Sequence, residues 1–316
     1  MLRHAPVALA AALLAACGNS SAPAGTADAP SLCLNSVCGT PRQIVDLPDL
    51  ENLLVTGAGR LLVTGQQNFY EILKNGDGTY SAAPLFAGTN GCSGITTRGS
   101  LVYVLCQGSG GATDFSGLSV LDLSVPGAVP EPIYSITGMS LPNGLVAGPG
   151  QTLYVTDGPV ASEPKIVRLT LDPLNPRSVT GQETWLLTLP DYPNGLAIKD
   201  GSLYTTLYNP TTETGDVARL DIQPDGSAGP IVRLHTRGIM DDLNFYGDTL
   251  LVTDWQNNRL FQITLDGELL QETAPLSFSQ PSSIEVGGPP LFESPVALVT
   301  ERYSGRGLWV LESAAP

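Results

Sequence analysis

The sequence predicts an all-β protein, a six-bladed β-propeller with four-stranded blades. Three observations predict it: a motif that recurs six times, several strand-like segments in each repeat, and no helical periodicity beyond the N-terminal stretch. In each repeat one polar or acidic residue introduces a short apolar strand. These residues, which are 42, 50, 51, 47 and 41 positions apart, are Glu51, Ser93, Asn143, Asn194, Asp241 and Ser282. A period of about 45 residues is typical of a radial repeat.

Within each repeat the chain reads as a series of hairpins. Turn residues such as Lys199-Asp200-Gly201 separate the introduced strand from a second strand, here 203–206. The second strands are apolar on both faces, so each must be covered on two sides, as a blade is by its neighbours. A third strand follows in all six repeats and a weaker fourth in the first five. We expect residues 43–47 to supply the missing strand of the last blade, which closes the ring and removes an exposed sheet edge.

The N-terminal residues predict export. Residues 1–16 read as a lipoprotein signal peptide, because Arg3 precedes an apolar stretch too short for the ~20 residues of a spanning helix. The segment Leu14-Ala15-Ala16-Cys17 resembles the lipobox of bacterial lipoproteins, which implies that Cys17 becomes lipidated; a plain signal peptide with a chance cysteine is the alternative. Residues 17–42 are predicted to be a lipidated flexible tether and residues 43–316 the propeller. We therefore expect a protein anchored in the cell envelope, facing the periplasm or the exterior.

The remaining cysteines and the net charge limit the partners. Cys33, Cys38, Cys92 and Cys106 are an even number in an exported chain, which predicts two disulfides. Cys92 and Cys106 begin and end the paired strands of one hairpin, whereas a Cys33–Cys38 bond would close a small loop ahead of the domain. A net charge of −15 without a basic patch disfavours nucleic acid and anionic lipid, so membrane contact is left to the lipid anchor. We expect a monomer.

The six polar or acidic residues that introduce the strands predict a cation site. The first strand of each propeller blade lines the channel, and its start lies at the same rim as the end of the second strand. The rim is therefore expected to collect the carboxylates together with Ser93 and Ser282. The expected carboxylates are Glu51, Asp157, Asp241, Asp242, Asp254 and Glu301.

Carboxylates this close need a counter-charge, either from Arg302 and Arg237 or, better, from a metal cation. Two carboxylates and two amide oxygens, from Glu51, Asn143, Asn194 and Asp241, suit Ca²⁺, which takes 6–8 oxygen ligands. Zn²⁺ is disfavoured, because one histidine remains in the mature chain and its cysteines are better used in disulfides. The alternative is that Asn-Gly and Asp-Asp are turn formers at the strand starts.

The motifs Pro142-Asn143-Gly144-Leu145 and Pro193-Asn194-Gly195-Leu196, with Glu51 before them and Asp241 after them, resemble the gluconolactonase–regucalcin family and its paraoxonase relatives. The resemblance covers about residues 43–316. It implies a six-bladed propeller and calcium-dependent hydrolysis of a small lactone or ester, with Glu51, Asn143, Asn194 and Asp241 as Ca²⁺ ligands. Asp241 or Asp254 would be the general base.

The chain also departs from these relatives. Paraoxonases have a histidine pair at the channel mouth, whereas this chain has Ser93 there and places His235 on an outer strand. A non-catalytic propeller, with structural calcium or none, that binds a small ligand or a protein is the second hypothesis.

Overall fold

The computed structural model describes residues 32–35, 40–65, 68–86, 91–107, 116–158 and 163–312. These residues form six antiparallel four-stranded sheets arranged as a ring, which confirms the predicted six-bladed propeller. None of the described segments is a helix long and apolar enough to cross a membrane. The predicted signal peptide, Cys17 and Cys38 lie outside the described residues and stay predictions.

Strands within a blade follow one another along the chain, so each blade is a meander. Blades 1 to 5 take four consecutive strands each from β2 to β21, and blade 6 combines β22–β24 with β1. The strands are β1 (Arg42–Pro48), β2 (Leu50–Val55), β3 (Leu61–Gly65), β4 (Phe69–Lys74), β5 (Tyr80–Phe86), β6 (Cys92–Arg98), β7 (Leu101–Gln107), β8 (Ser116–Asp122), β9 (Glu131–Ser135), β10 (Pro142–Ala147), β11 (Thr152–Asp157), β12 (Lys165–Leu171), β13 (Val179–Leu187), β14 (Tyr192–Lys199), β15 (Ser202–Asn209), β16 (Thr214–Asp221), β17 (Val232–Arg237), β18 (Leu243–Tyr246), β19 (Thr249–Asp254), β20 (Arg259–Thr264), β21 (Leu269–Glu272), β22 (Pro281–Gly287), β23 (Val296–Glu301) and β24 (Arg306–Glu312).

The ring closes as predicted, because β1 pairs with β24 and completes the last blade. Ile44, Val45 and Leu47 pack against a core cluster that also contains Leu308 and Val310. The ion pair between Arg42 and Glu312, at 2.6 Å, joins two exposed side chains, so it contributes little. Ladder hydrogen bonds and apolar burial therefore hold the two ends of the domain together.

The core lies between the blades rather than at the centre of the ring. Leu61, Leu62 and Val63 of β3 are completely buried, and they belong to clusters shared with different neighbours. Side chains on opposite faces of one strand thus pack against opposite neighbouring blades. This is the two-sided covering that the unbroken apolar pattern of the second strands requires.

Two leucines that precede the first strand pack against the propeller. Leu32 and Leu34 are buried in the core cluster of blades 5 and 6, beside Leu251 and Ile284. The side chain of Gln271 accepts a hydrogen bond from Leu34 N at 2.9 Å and donates one to Leu32 O at 3.0 Å. Leu32 and Leu34, which lie in the segment predicted to be a tether, therefore pack against blades 5 and 6.

Candidate functional site

The first strand of each blade, which we call the inner strand because it lines the channel, loses its regular pairing with the second strand near the residue that introduces it. In β10 the pairing with β11 jumps from Pro142 to Leu145, and the other inner strands except β18 show similar shifts. Strand β18 begins directly after Asp241 and Asp242. Such irregularities re-aim side chains and are common next to functional sites. Here they turn one polar residue from each of several blades towards the channel.

The glycines that follow the ring residues allow neighbouring blades to approach each other closely. A Cβ atom on Gly144 would lie 2.2 Å from the carbonyl oxygen of Asn194, and one on Gly195 would lie 2.9 Å from that of Asp241. Both glycines lie inside strands. The Asn-Gly pairs are therefore not turns: the glycine makes room for the next blade, and the asparagine enters the channel.

Five side chains from different blades meet at one end of the channel, and we call them the channel ring: Glu51, Asn143, Asn194, Asp241 and Arg302. Glu51 forms an ion pair with Arg302 and a hydrogen bond with Asn143. The side-chain amide of Asn194 donates a hydrogen bond to Asp241. The structure thus brings together the four side chains that were predicted from the sequence to be calcium ligands.

Burial makes ionisation of the ring carboxyls costly. Burial raises the pKa of Glu51, while Arg302 and the hydrogen bond with Asn143 oppose the rise. The pKa of Asp241 is raised well above its usual value, first by burial and then by the charge of Glu51, against the opposing effects of Arg302 and Asn194. One arginine therefore faces two carboxyls, and the ring favours additional positive charge.

Arg302 supplies the positive charge of the ring. It follows β23 directly, and its guanidinium lies 4.9 Å from the centre of the Tyr303 ring. Tyr303 meets Trp255 edge to face at 6.2 Å, so two aromatic side chains lie beside Arg302. The sequence suggested Arg302 only as one possible counter-ion, because its partner comes from a different blade.

The carboxylates at the ends of the second strands do not join the ring. Asp157 accepts hydrogen bonds from Ser140 N at 2.9 Å and Leu141 N at 2.8 Å. Glu301 likewise accepts one from Ser279 N at 2.6 Å. Both side chains are buried and anchor the loop that leads into the inner strand of their own blade. The expected single acidic rim is thus divided into ring residues and structural rim residues.

Asp254, the alternative candidate for the general base, is completely buried outside the ring. It accepts a hydrogen bond from Asn257 Nδ2 at 2.8 Å and forms ion pairs with Arg259 at 3.1 Å and Arg237 at 3.6 Å. Arg237 also donates to His235, whose other ring nitrogen lies 3.0 Å from Gly267 O. Asp254 therefore belongs to a structural network, and Asp241 is the candidate base that the ring contains.

Four threonines of the second strands, which we call the threonine belt, join neighbouring blades around the ring. Their hydroxyl oxygens donate to main-chain carbonyls of the next blade at 2.7–2.8 Å. The donor–acceptor pairs are Thr64 to Ser93, Thr156 to Asn194, Thr206 to Asp241 and Thr300 to Glu51. The belt therefore fixes the backbone of three ring residues. Sequence reasoning missed it, although a threonine recurs at one position of the second strands.

Ser93 and Ser282 also connect blades and lie outside the set of side chains that touch Glu51 and Asp241. The hydroxyl of Ser93 donates to Pro142 O at 3.0 Å, and that of Ser282 donates to Leu50 O at 2.9 Å. The Ser93 bond joins blades 2 and 3, which the threonine belt does not connect, whereas the Ser282 bond joins blades 6 and 1, as the Thr300 bond also does. Both serines therefore position the ring from outside it.

Behind the ring the channel widens into a cavity of about 190 Å³. Its lining includes Asn52, Thr96, Asp242, Asn244 and Glu285. Burial raises the pKa of both Asp242 and Glu285 to about 7, against hydrogen bonds to Ser283 and to Val286 N respectively. The channel thus has a charged end, formed by the ring, and an interior with carboxyls that are easily protonated.

The donor set of the ring fits a hard cation. In the described part of the chain, no three His, Cys, Asp or Glu side chains form a group that could hold a metal ion. A cation at the ring would therefore require the amide oxygens of Asn143 and Asn194 beside the carboxylates of Glu51 and Asp241. That mixture of oxygen donors is suited to Ca²⁺.

Blade 2 is stabilised differently from the other blades. A disulfide joins Cys92 and Cys106 across β6 and β7, with Cα atoms 4.1 Å apart, as the sequence predicted. Its second strand has Leu105 at the position of the belt threonines. Cys33 is also disulfide-bonded, but Cys38 lies outside the described residues, so their pairing stays a prediction.

Comparisons with known proteins agree on the fold. No protein-family model and no curated protein matches the sequence. A gluconolactonase from Xanthomonas campestris matches the structure with a TM-score of 0.61 at 16% identity, over 87% of this chain and 89% of that chain.

Two further solved structures show how widely the architecture is used. Regucalcin, a calcium-binding protein from Agrobacterium tumefaciens, matches with a TM-score of 0.61 at 13% identity, over 90% of this chain and 98% of its own. A chain of a nidogen/laminin complex matches with a TM-score of 0.55 at 19% identity, over 72% and 80% respectively. In architecture, this chain is therefore a six-bladed propeller similar to those of gluconolactonase and regucalcin.

Proposed function

We propose that this protein is a calcium-dependent hydrolase of small lactones or esters. The observation that carries the proposal is the channel ring: Glu51, Asn143, Asn194 and Asp241 come from four blades and meet at one end of the channel. The similarity in fold to a gluconolactonase and to a calcium-binding regucalcin supports it. We further propose that lipidated Cys17 anchors the protein in the cell envelope.

In this proposal the four oxygen donors hold Ca²⁺, which supplies Lewis-acid polarisation of the substrate carbonyl. Asp241 accepts a proton from the attacking water as the new C–O bond forms. The acyl C–O bond then breaks, and the departing oxygen receives that proton. The hydrogen bond from the Asn194 amide orients the Asp241 carboxylate.

The residues around the mouth would hold the substrate. Tyr303 and Trp255 offer an apolar wall beside the ring, and Tyr303 is 58% exposed. Ring-shaped or short acyl substrates suit a wall of two aromatic side chains next to a few polar groups. The threonine belt and the rim carboxylates keep the ring rigid, which favours a preorganised site.

The decisive experiment measures hydrolysis of a panel of lactones and aryl esters by the intact chain in Ca²⁺ and in EDTA. We expect activity in Ca²⁺ that EDTA abolishes. Asp241→Asn and Glu51→Gln should lose it, whereas Asp225→Asn, in an exposed turn of blade 4, should retain it. Activity that survives in EDTA or in both ring variants would exclude this mechanism.

A second candidate function is binding without catalysis. One observation favours it: Arg302 already provides Glu51 with a counter-charge, so the ring has an internal cation. A propeller of this architecture also occurs in a nidogen/laminin complex, which is an assembly of proteins. Absence of hydrolysis of every substrate in the panel, whether or not calcium binds, would favour this alternative.

A further inference from the structure

Arg302 occupies a position at the ring that a bound cation would also use. Its side chain is 19% exposed and that of Glu51 is 4% exposed, so water screens their contact poorly. Glu51 is at the same time one of the four proposed Ca²⁺ ligands. A guanidinium and a metal ion cannot both bind the same carboxylate at full strength.

We propose that Arg302 is an internal competitor for the cation site: it pairs with Glu51 until a divalent cation displaces it, and it thereby sets the affinity of the ring for that cation. The inference rests on the ring as the cation site of the proposed function. It adds a residue that lies outside the donor set and limits the affinity of the site. Its consequence is that the ring fills only where divalent cations are abundant.

The other cations near the mouth are already engaged elsewhere. Arg237 and Arg259 both pair with Asp254 and Glu272, and Lys165 lies 4.0 Å from Asp157. Arg302 is therefore the described basic side chain that contacts a ring carboxylate. Two like charges in a buried site repel each other strongly, so a divalent cation at the ring works against the guanidinium.

Two features of the Arg302–Glu51 contact favour its release. Arg302 Nε is buried without a hydrogen-bond partner among the described residues, so the guanidinium is not fully satisfied where it lies. The half-buried Asp49 lies close enough for its carboxylate charge to act on Arg302, and it accepts a hydrogen bond from Tyr303 N at 3.1 Å. A displaced guanidinium thus has both the Tyr303 ring and Asp49 as neighbours.

Release requires movement of the side chain only. The backbone of the β23–β24 turn is tied to Gln280, whose carbonyl accepts from Arg302 N at 3.2 Å and whose side chain accepts from Ser304 N at 3.1 Å. The arginine side chain has several rotatable bonds and is partly exposed to solvent. The fold can therefore stay unchanged while the guanidinium moves.

The test is isothermal titration calorimetry of the intact chain with CaCl₂, comparing the wild type with Arg302→Met and Arg302→Lys. We expect Arg302→Met to bind Ca²⁺ at least tenfold more tightly than the wild type, and Arg302→Lys to lie between them. Arg306→Met is the matched control, because it removes the same charge from the same hairpin but at an exposed pair with Asp46. Its affinity should equal that of the wild type.

A thermal melt checks that the variants fold. In EDTA, Arg302→Met should melt at or below the wild-type temperature, while its increase on adding Ca²⁺ should be larger. A purely structural role of Arg302 would lower stability without enlarging the calcium response. If Arg302→Met is too unstable to titrate, Arg302→Lys carries the comparison, and an affinity equal to that of the wild type overturns the proposal.

The outcomes separate this inference from the proposed function. Calcium binding by Arg302→Met but not by the wild type would support competition and refute calcium-dependent hydrolysis in the native protein. Equal affinities of the wild type and Arg302→Met would overturn competition and leave the calcium site intact. Absence of binding in both proteins would overturn competition and the calcium site together.

Discussion

Two sets of carboxylates surround the same end of the channel, and they differ in the origin of their partners. Asp157 and Glu301, at the rim, accept hydrogen bonds from main-chain N–H groups of their own blades. Glu51 and Asp241, in the ring, depend on side chains that come from other blades. The rim carboxylates are thus satisfied locally, whereas the ring carboxylates retain a demand for positive charge that only the closed propeller creates.

The difference separates structure from function. A carboxylate saturated by backbone donors stabilises a loop and has little left to offer a ligand. A buried carboxylate with few donors has a raised pKa and attracts cations or protons. Substitutions in the two sets should therefore have opposite signatures: the ring variants should lose activity, and the rim variants should lose stability.

The largest effect is expected for Asp241→Asn. The substitution removes the proposed base and one of two carboxylate ligands, so the rate of calcium-dependent hydrolysis should fall by roughly 10³-fold. It also removes a buried group that resists ionisation, so stability in EDTA should change little or increase. Steady-state kinetics and thermal melts measure both. An active Asp241→Asn enzyme would assign the base elsewhere.

Asp254→Asn, at a structural carboxylate outside the ring, should produce the reverse pattern. It breaks a buried ion-pair network with Arg237 and Arg259, which typically costs about 3 kcal/mol or more. Chemical denaturation should show this loss of unfolding free energy, while the folded fraction keeps most of its activity. Loss of activity without loss of stability would instead move Asp254 into the catalytic site.

A smaller effect is expected when the disulfide of blade 2 is removed. The double variant Cys92→Ser/Cys106→Ser removes a crosslink that spans 14 residues and should lower the unfolding free energy by about 2–3 kcal/mol. Calcium affinity should stay within a few-fold of the wild type, because blade 2 gives no side chain to the ring. A large loss of calcium affinity would show that the disulfide positions the mouth.

The smallest effect concerns the cavity behind the ring. Glu285 and Asp242 have a pKa of about 7 in the folded protein, above the ordinary values of 4.5 and 3.8 that apply in the unfolded chain. Between those values the folded state binds more protons, so its stability should fall as the pH rises from 5 to 8.

In EDTA the melting temperature should therefore decrease by several degrees over this range, and Glu285→Gln should weaken the dependence. Exposed Glu268→Gln is the control and should leave the slope unchanged. An unaltered slope in Glu285→Gln would mean that other groups carry the pH dependence.

Much of the fold followed from local patterns. The repeats, the two-sided apolar strands and the unpaired segment before the first blade were enough to predict the ring closure that β1 and β24 make. Cys92 and Cys106 could be paired because they lie opposite each other in a hairpin. Even Glu51, Asn143, Asn194 and Asp241 could be grouped, since equivalent positions of radial repeats must converge on the axis.

Other features could not be read from the sequence. The sequence analysis placed Asp254 and Asp157 beside the ring residues, which is wrong. A strand pattern does not reveal irregular pairing, and a shift of one residue turns a side chain to the opposite face of the sheet. Leu32 and Leu34 are two apolar residues at the end of a stretch rich in small residues, so their docking between blades 5 and 6 had no periodic signal.

By itself, the sequence determined the number of blades, the closure of the ring and the oxygen donors that meet at the channel, because these follow from periodicity and symmetry. The tertiary structure decided which carboxylates are satisfied and which are not, and it placed Arg302 against Glu51. That choice depends on contacts between residues about 250 positions apart, whose geometry exists only after the ring has closed.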